Sequence, residues 1–253
     1  MKKQIYILAL MLFVSGSFAT AQESEHPQTF NVMTWNIWHG GNEDGKEIGP
    51  ERVIDIIRNS KADIVAMQET YGSGERIAKA LNFNFHPIGT NVSILSRFPI
   101  VEDISVFEEF KCAGGLVELP DNRKIAFYSI WLPYNKEIWE VDTRDTSRPD
   151  SMLAACQASC DDLKKIEVLI SDRLKAEKYR DVPVIIAGDF NSMSALDYIP
   201  SSTHQYEVAI DWPTSHVLLD LGYRDSWREL HPEVDRSKDR TWTPRFPKQE
   251  QDR

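Results

Sequence analysis

Three apolar runs in this chain end on oxygen-bearing side chains: "VMTWN" closes on Asn36, "IVAMQE" on Glu69, and "VPVIIAGDFNS", residues 182–192, on Asp189 and Asn191. A carboxylate or amide at the half-buried end of a strand is costly to leave unpaired, so such groups demand a cation, backbone N–H groups or one another. A hard divalent ion would satisfy several of them together. Oxygen donors without clustered His or Cys suit Mg2+, Mn2+ or Ca2+ rather than zinc. Each residue also has a plainer use: Asn36 as a turn former, Glu69 as a solvated strand end, Asp189 with Asn191 as an Asx-type cap. Their recurrence at three strand ends is what favours a shared site.

The elements that must position these groups follow from hydrophobic periodicity. A strand is expected over 30–38, and a helix over 49–60, opened by Pro50 and carrying Val53, Ile54 and Ile57 on one face. A buried strand over 62–70 and a short helix over 74–81 come next. Strand-like runs then occupy 91–96, the region around 101–107, 114–120 and 123–132, separated by turn formers. Residues 134–149 show neither period and read as an active-site rim or flap. A long helix is expected from Asp150 to Tyr179, then a strand at 182–188 buried on both faces, then a helix from Pro213 to Leu221. Interleaved helices and strands imply helical layers over mixed sheets.

The histidines supply no obvious base. His39 and His86 are expected in loops, His204 in a polar loop and His216 in an amphipathic helix. Cys112, Cys156 and Cys160 are too few for a disulfide scaffold. The last two share a helical face with Leu163, Ile166 and Ile170 and read as small buried apolar residues, with a bridge from Cys112 to one of them left open.

Residues 1–21 pair two lysines with a short apolar stretch and the small-residue pattern Ala19, Thr20, Ala21, which predicts a cleaved secretion signal and a periplasmic or secreted product with no transmembrane segment. Residues 22–253 are expected to form one domain, and a monomer. The formal net charge of −10 becomes more negative once Lys2 and Lys3 are removed. Net charge therefore argues against unspecific adhesion to nucleic acid or anionic lipid, while leaving a phosphate ligand open.

"MTWNIW", "DIVAMQET", "NVSILSRFPI", "AGDFNS" and "GYRDSWRELHP…TWTP", in this order and spacing, resemble the endonuclease/exonuclease/phosphatase superfamily, to which deoxyribonuclease I belongs. The resemblance implies a four-layer α/β sandwich, two packed mixed or antiparallel sheets flanked by helices, and metal-assisted hydrolysis of a phosphate ester. Carried over by position, Glu69 would bind the divalent ion, with Asn36 beside it as a ligand or as the group that orients it. Asp189 would orient or deprotonate the attacking water, and Asn191 would hold a phosphoryl oxygen.

Two departures from the family pattern stand out. Trp131 occupies the place where the family often offers His or Tyr to the phosphate, and a tryptophan N–H cannot relay a proton. Tyr134 is the nearby substitute. The family's terminal Ser-Asp-His has no counterpart before "QEQDR", so the chain is expected to be a fragment, short of its C-terminal strands and impaired in activity. The leading function is a phosphoesterase, acting on a phosphodiester or phosphomonoester in nucleic acid, a phospholipid head group or a small phosphorylated metabolite. The 134–149 rim carries Lys136, Arg144 and Arg148 against Glu137, Glu140, Asp142 and Asp145, which leans away from long polyanions. Trp139 would be a lipid-facing anchor. The competing class is a non-catalytic phosphate- or metal-binding relative.

Overall fold

A computed structural model describes residues 29–135, 138, 147–202, 208–235, 237–239 and 241. The expected secretion signal, most of the 134–149 rim with Trp139, His204 and the C-terminal residues lie outside them. Strands β1 (Val32–Asn36), β2 (Ile64–Gln68), β3 (Asn84–Ile88) and β4 (Val92–Ser96) form one sheet in the order β1-β2-β4-β3. Strands β5 (Ile100–Asp103), β6 (Cys112–Glu118), β7 (Lys124–Trp131) and β8 (Val184–Asp189) form the other, in the order β5-β6-β7-β8. Both sheets are mixed: β1 runs parallel to β2 and β8 parallel to β7, while the remaining pairs are antiparallel.

The layering follows from the two-residue period of a strand. In β2, Ile64 and Ala66 face the second sheet, where they pack with Ala113, Val117, Ile125 and Phe127. The alternate residues Val65 and Met67 face outward, onto Val53, Ile54 and Ile57 of α1 (Ile48–Ser60) and Ile77 and Ala78 of α2 (Gly74–Leu81). On the far side, Tyr128 and Ile130 of β7 and Ile186 of β8 pack against Leu163, Ile166 and Ile170. The result is helix, sheet, sheet, helix, as expected for the sandwich.

The long helix expected from 150 to 179 is divided. It forms α3 (Pro149–Ala155), a break at Cys156, and α4 (Gln157–Arg173), followed by a single 3-10 turn at Glu177–Tyr179. Cys112, Cys156 and Cys160 are all free and buried, so none bridges another. Burial pushes the Cys112 thiol up to about 12 and the Cys156 thiol to about 11, which keeps both protonated and unreactive. Helix α5 (Pro213–Leu219) starts at the expected proline and carries His216, whose Nε2 lies 2.6 Å from Asp211. Helix α6 (Ser226–Leu230) begins with the Asp225 carboxylate accepting from the Trp227 and Arg228 amides.

Two local expectations are corrected. His86 lies within β3, paired with Ile94, rather than in a loop. Pro87 hid this strand, but β3 is an edge, where a missing N–H costs no ladder bond. The 182–188 run is a strand from Val184 but is not buried on both faces. All six residues of β8 are half-buried, and among the described residues β8 stands at the edge of its sheet.

Candidate functional site

The site forms where the two parallel pairs end together. Ile185 and Ala187 of β8 face the neighbouring sheet, so the alternation carries Asp189 to the same face. Asn36, last residue of β1, sits opposite Gln68 in register, and Gln68 reaches across the sandwich to donate from Nε2 to Ser129 Oγ at 3.0 Å. Strand ends from separate sheets therefore meet at one end of the sandwich. Asn36 joins them: its Nδ2 donates to Glu69 Oε1 at 3.0 Å and to Asp189 Oδ2 at 2.9 Å. Its own Oδ1 accepts the Trp38 N–H at 2.9 Å, which orients the amide.

Glu69 reaches this point by breaking the alternation. It follows β2 with a φ of 55°, a left-handed conformation that is uncommon for a residue with a side chain. Hydrogen bonds on every side hold it there. Its N–H donates to Asn91 Oδ1 at 2.9 Å, its carbonyl accepts the Gly40 N–H at 2.7 Å, and its Oε2 accepts the His39 N–H at 2.9 Å. The 3-10 turn His39–Asp44 can approach this closely because Gly40 has a φ of 71°, and a Cβ there would lie 2.8 Å from Ser73 Oγ.

Asn91 is fully buried, and its Nδ2 donates to the Phe110 carbonyl at 2.8 Å. It is a positioning residue for Glu69 that sequence reasoning did not single out. The available signal was a polar side chain at the head of the buried run "VSILS".

Asp189 is fixed by the Asn191 N–H, which donates to its Oδ1 at 3.0 Å. Desolvation, and secondarily the nearby Glu69 charge, raise the Asp189 carboxyl above its ordinary value of 3.8. The close approach of β8 to β7 depends on Gly188, where a Cβ would stand 2.1 Å from the Ile130 carbonyl oxygen.

Of the residues singled out from sequence, Asn36, Glu69 and Asp189 are thus bonded together directly. Asn191 adjoins them through its backbone, while its side-chain amide donates to the Leu132 carbonyl at 2.8 Å and is buried. Trp131 pairs with Asp189 in the β7–β8 register and is half-buried at the same sandwich end. Tyr134 lies on the loop beyond, largely exposed. His39 is drawn into the site through its backbone, and its ring Nδ1 lies 2.6 Å from Glu43 Oε1. Among the described residues, no cluster of three or more His, Cys, Asp and Glu side chains is assembled. The converging groups are two carboxylates, held by the Asn36 amide nitrogen between them.

The motif "GYRDSWRELHP" supplies a buried structural anchor. Arg228 is buried and donates from Nε to Asp197 at 2.8 Å, from Nη2 to Asp239, and from Nη1 to the carbonyls of His231 and Glu233. This ties the segment after β8 to the C-terminal part of the described chain.

The sandwich is similar to several solved structures. Over 79% of this chain and 74% of that one it matches the mannosyl-6-phosphatase Bt3783 of Bacteroides thetaiotaomicron VPI-5482, with a TM-score of 0.53 and 15% identity. It matches a humanized D. rerio TDP2 carrying 14 mutations at a TM-score of 0.53, with 13% identity over 87% of this chain and 78% of that one. An AP endonuclease from Archaeoglobus fulgidus gives 0.50, with 16% identity over 86% and 79%. In sequence, the chain is 25% identical over 247 residues to the Caenorhabditis elegans protein F14F9.5, covering 94% of this chain and 77% of that protein. A sequence model of the Endonuclease/Exonuclease/phosphatase family matches residues 33–248, nearly the whole of the sandwich described above, and the chain belongs to that family.

Proposed function

We propose that this member of a phosphoester-hydrolase family is a divalent-metal-dependent phosphoesterase, with Glu69 toward the ion, Asn36 as the group that orients the carboxylates around it, and Asp189 toward the attacking water. One observation carries the reading: carboxylates from the ends of β2 and β8, in separate sheets, converge on the single amide of Asn36. Two acids so placed repel each other, and that repulsion adds to desolvation, the larger cause, in raising the Asp189 carboxyl. A cation beside them would relieve that repulsion, and the donors are all oxygen, which fits Mg2+ or Mn2+, with Ca2+ also compatible. When bound, such an ion would stabilise negative charge on the phosphoryl group and the leaving oxygen.

The chain's own groups supply the rest. Asn36 holds the two carboxylates at a fixed separation, and the His39 N–H keeps Glu69 turned toward them. Asp189, crowded and raised in pKa, accepts a proton from water more readily than an exposed aspartate would. Trp131, half-buried beside Asp189, is proposed to offer its indole N–H to a phosphoryl oxygen. Asn191 fixes Asp189 through its backbone, and its side chain is proposed to reach the phosphoryl group once a substrate draws it from Leu132.

The binding-only alternative is favoured by one feature: among the described residues, Asp189 is bonded to Asn36 and to the Asn191 amide and to no histidine. Hydrolysis of bis-p-nitrophenyl phosphate, with and without EDTA, alongside a direct Mn2+ titration, separates the two. Metal-dependent turnover that falls by about a hundredfold to ten-thousandfold in Asp189→Ala is expected. Metal binding without turnover would establish the binding protein instead, and undiminished turnover in the variant would remove Asp189 from the chemistry. Export from the cytoplasm is proposed from residues 1–21 alone, and is tested by whether the mature protein begins at Gln22.

A further inference from the structure

The mouth of the site is bordered by a continuous series of rings. Trp38 and His39 lie 5.3 Å apart by ring centroids, His39 and Tyr71 6.4 Å, Tyr71 and Phe110 6.5 Å, and Phe110 meets Trp131 edge-on at 5.4 Å. Both ends of this arc are built on the polar site. At one end, the Trp38 and His39 amides donate to Asn36 and Glu69. At the other, Trp131 pairs with Asp189. In the middle, the Phe110 carbonyl accepts from Asn91, the residue that braces Glu69, and Tyr71 follows Glu69 by two residues in the chain.

Trp131 packs in part against the core between the sheets, while the other four rings stand outside it. Tyr71 and Phe110 are each 39% exposed, His39 is exposed, and Trp38 and Trp131 are half-buried. Exposed aromatic area beside charged groups is a surface for a ligand with an apolar face next to its anionic end. Lys111, adjacent to Phe110 in the chain, is bonded to Asp162 at 2.8 Å and Glu108 at 3.0 Å, so its charge is already committed within the protein. The arc therefore offers apolar ring contact, its successive rings tilted to one another, rather than a track for a polyanion.

We infer that the Trp38–His39–Tyr71–Phe110–Trp131 arc selects phosphate esters whose organic part is a ring, a hexose or a nucleoside, by laying that ring against the aromatic faces while the phosphate points to Asp189 and Glu69. The inference rests on the phosphoesterase reading for the orientation of the ligand, but its test is binding. Titration calorimetry in Mg2+ would compare glucose 6-phosphate, adenosine 5′-monophosphate and the acyclic glycerol 3-phosphate on the full chain and on Tyr71→Ala, Phe110→Ala and Tyr71→Phe.

The ring-bearing esters should bind about tenfold more tightly than glycerol 3-phosphate. That preference should shrink severalfold in both alanine variants and survive in Tyr71→Phe, which keeps the ring. Whichever of the two ring esters binds more tightly identifies sugar or nucleoside as the source. Equal affinity for cyclic and acyclic esters, no binding of any ester, or an unaltered preference in both alanine variants with native melting curves would overturn the proposal. Ring-selective binding with no hydrolysis of any ester would leave the arc standing and defeat the hydrolase reading.

Discussion

Asp189 shows how much a single carboxyl depends on its neighbours. Its desolvation and the Glu69 charge both favour the protonated form, so the folded state holds a proton that the unfolded chain has released above its ordinary value of 3.8. Stability contributed by this group is therefore fully present below that pH and is lost as pH rises through the raised value. An NMR titration of the Asp189 carboxyl in metal-free protein should give a midpoint above 3.8. In Glu69→Gln the midpoint should fall only part of the way back, because desolvation is the larger cause; an unchanged midpoint would show that the two carboxyls do not interact. Asn91 acts one step further out. Asn91→Ala leaves the Glu69 N–H and the Phe110 carbonyl without their partner, and should cost about 1–3 kcal/mol in denaturant unfolding, as expected for a buried polar group left unpaired. Hydrolysis should fall as well, through loss of the Glu69 geometry. Asn91→Asp, which can still accept the Glu69 N–H, should retain more activity than the alanine.

At the scale of elements, the site depends on parallel strands that end level with each other. The β7–β8 pair is as close as it is because Gly188 has no Cβ to meet the Ile130 carbonyl. Gly188→Ala should push β8 away from β7, costing about 1–3 kcal/mol of stability as overpacking does. Because Asp189 is the next residue, activity should fall by a larger factor than stability alone explains, which a kcat measurement well below the melting temperature would reveal. A variant with wild-type kcat would show that the strand spacing does not set the Asp189 position. Among the described strands, β1 and β8 stand at the edges of their sheets. An apolar run such as "VIIA" reads as a strand covered on both faces, yet its exposure is decided by which neighbours the sheet supplies, and in the described sandwich β8 has β7 on one side alone.

At the scale of the whole molecule, the formal charge of −10 and the arrangement of the site point the same way. The residues that converge are acids and amides, and the surrounding surface is aromatic. A protein of this charge should pass unretained through heparin or DNA-cellulose at about 0.15 M salt, where nonspecific binding relies on phosphate neutralisation by Lys and Arg. Retention there would reveal a basic surface and return long nucleic acids to the set of substrates. No helix among the described residues is long and apolar enough to cross a membrane.

Much of this was legible in one dimension. The continuous apolar runs of β2 and β7, the Pro213 helix start, the helical face shared by Cys160, Leu163, Ile166 and Ile170, and the polar residues at three strand ends are all local patterns, because side-chain period and end-of-strand desolvation are properties of neighbours in the chain; the helix expected to open at Pro50 starts two residues earlier, at Ile48. Three outcomes needed the folded molecule. Asn36 and Asp189 are 153 residues apart, and only the packing of two sheets makes them partners. Glu69 would point outward by alternation, and only hydrogen bonds from Asn91 and the 39–44 turn hold the backbone reversal that brings it in. The rings of Tyr71, Phe110 and Trp131 come from three separate segments and have no common spacing. Chain order dictates which groups stand at the end of each strand; which ends face one another is settled by the burial of apolar area between layers, a sum over contacts far apart in sequence.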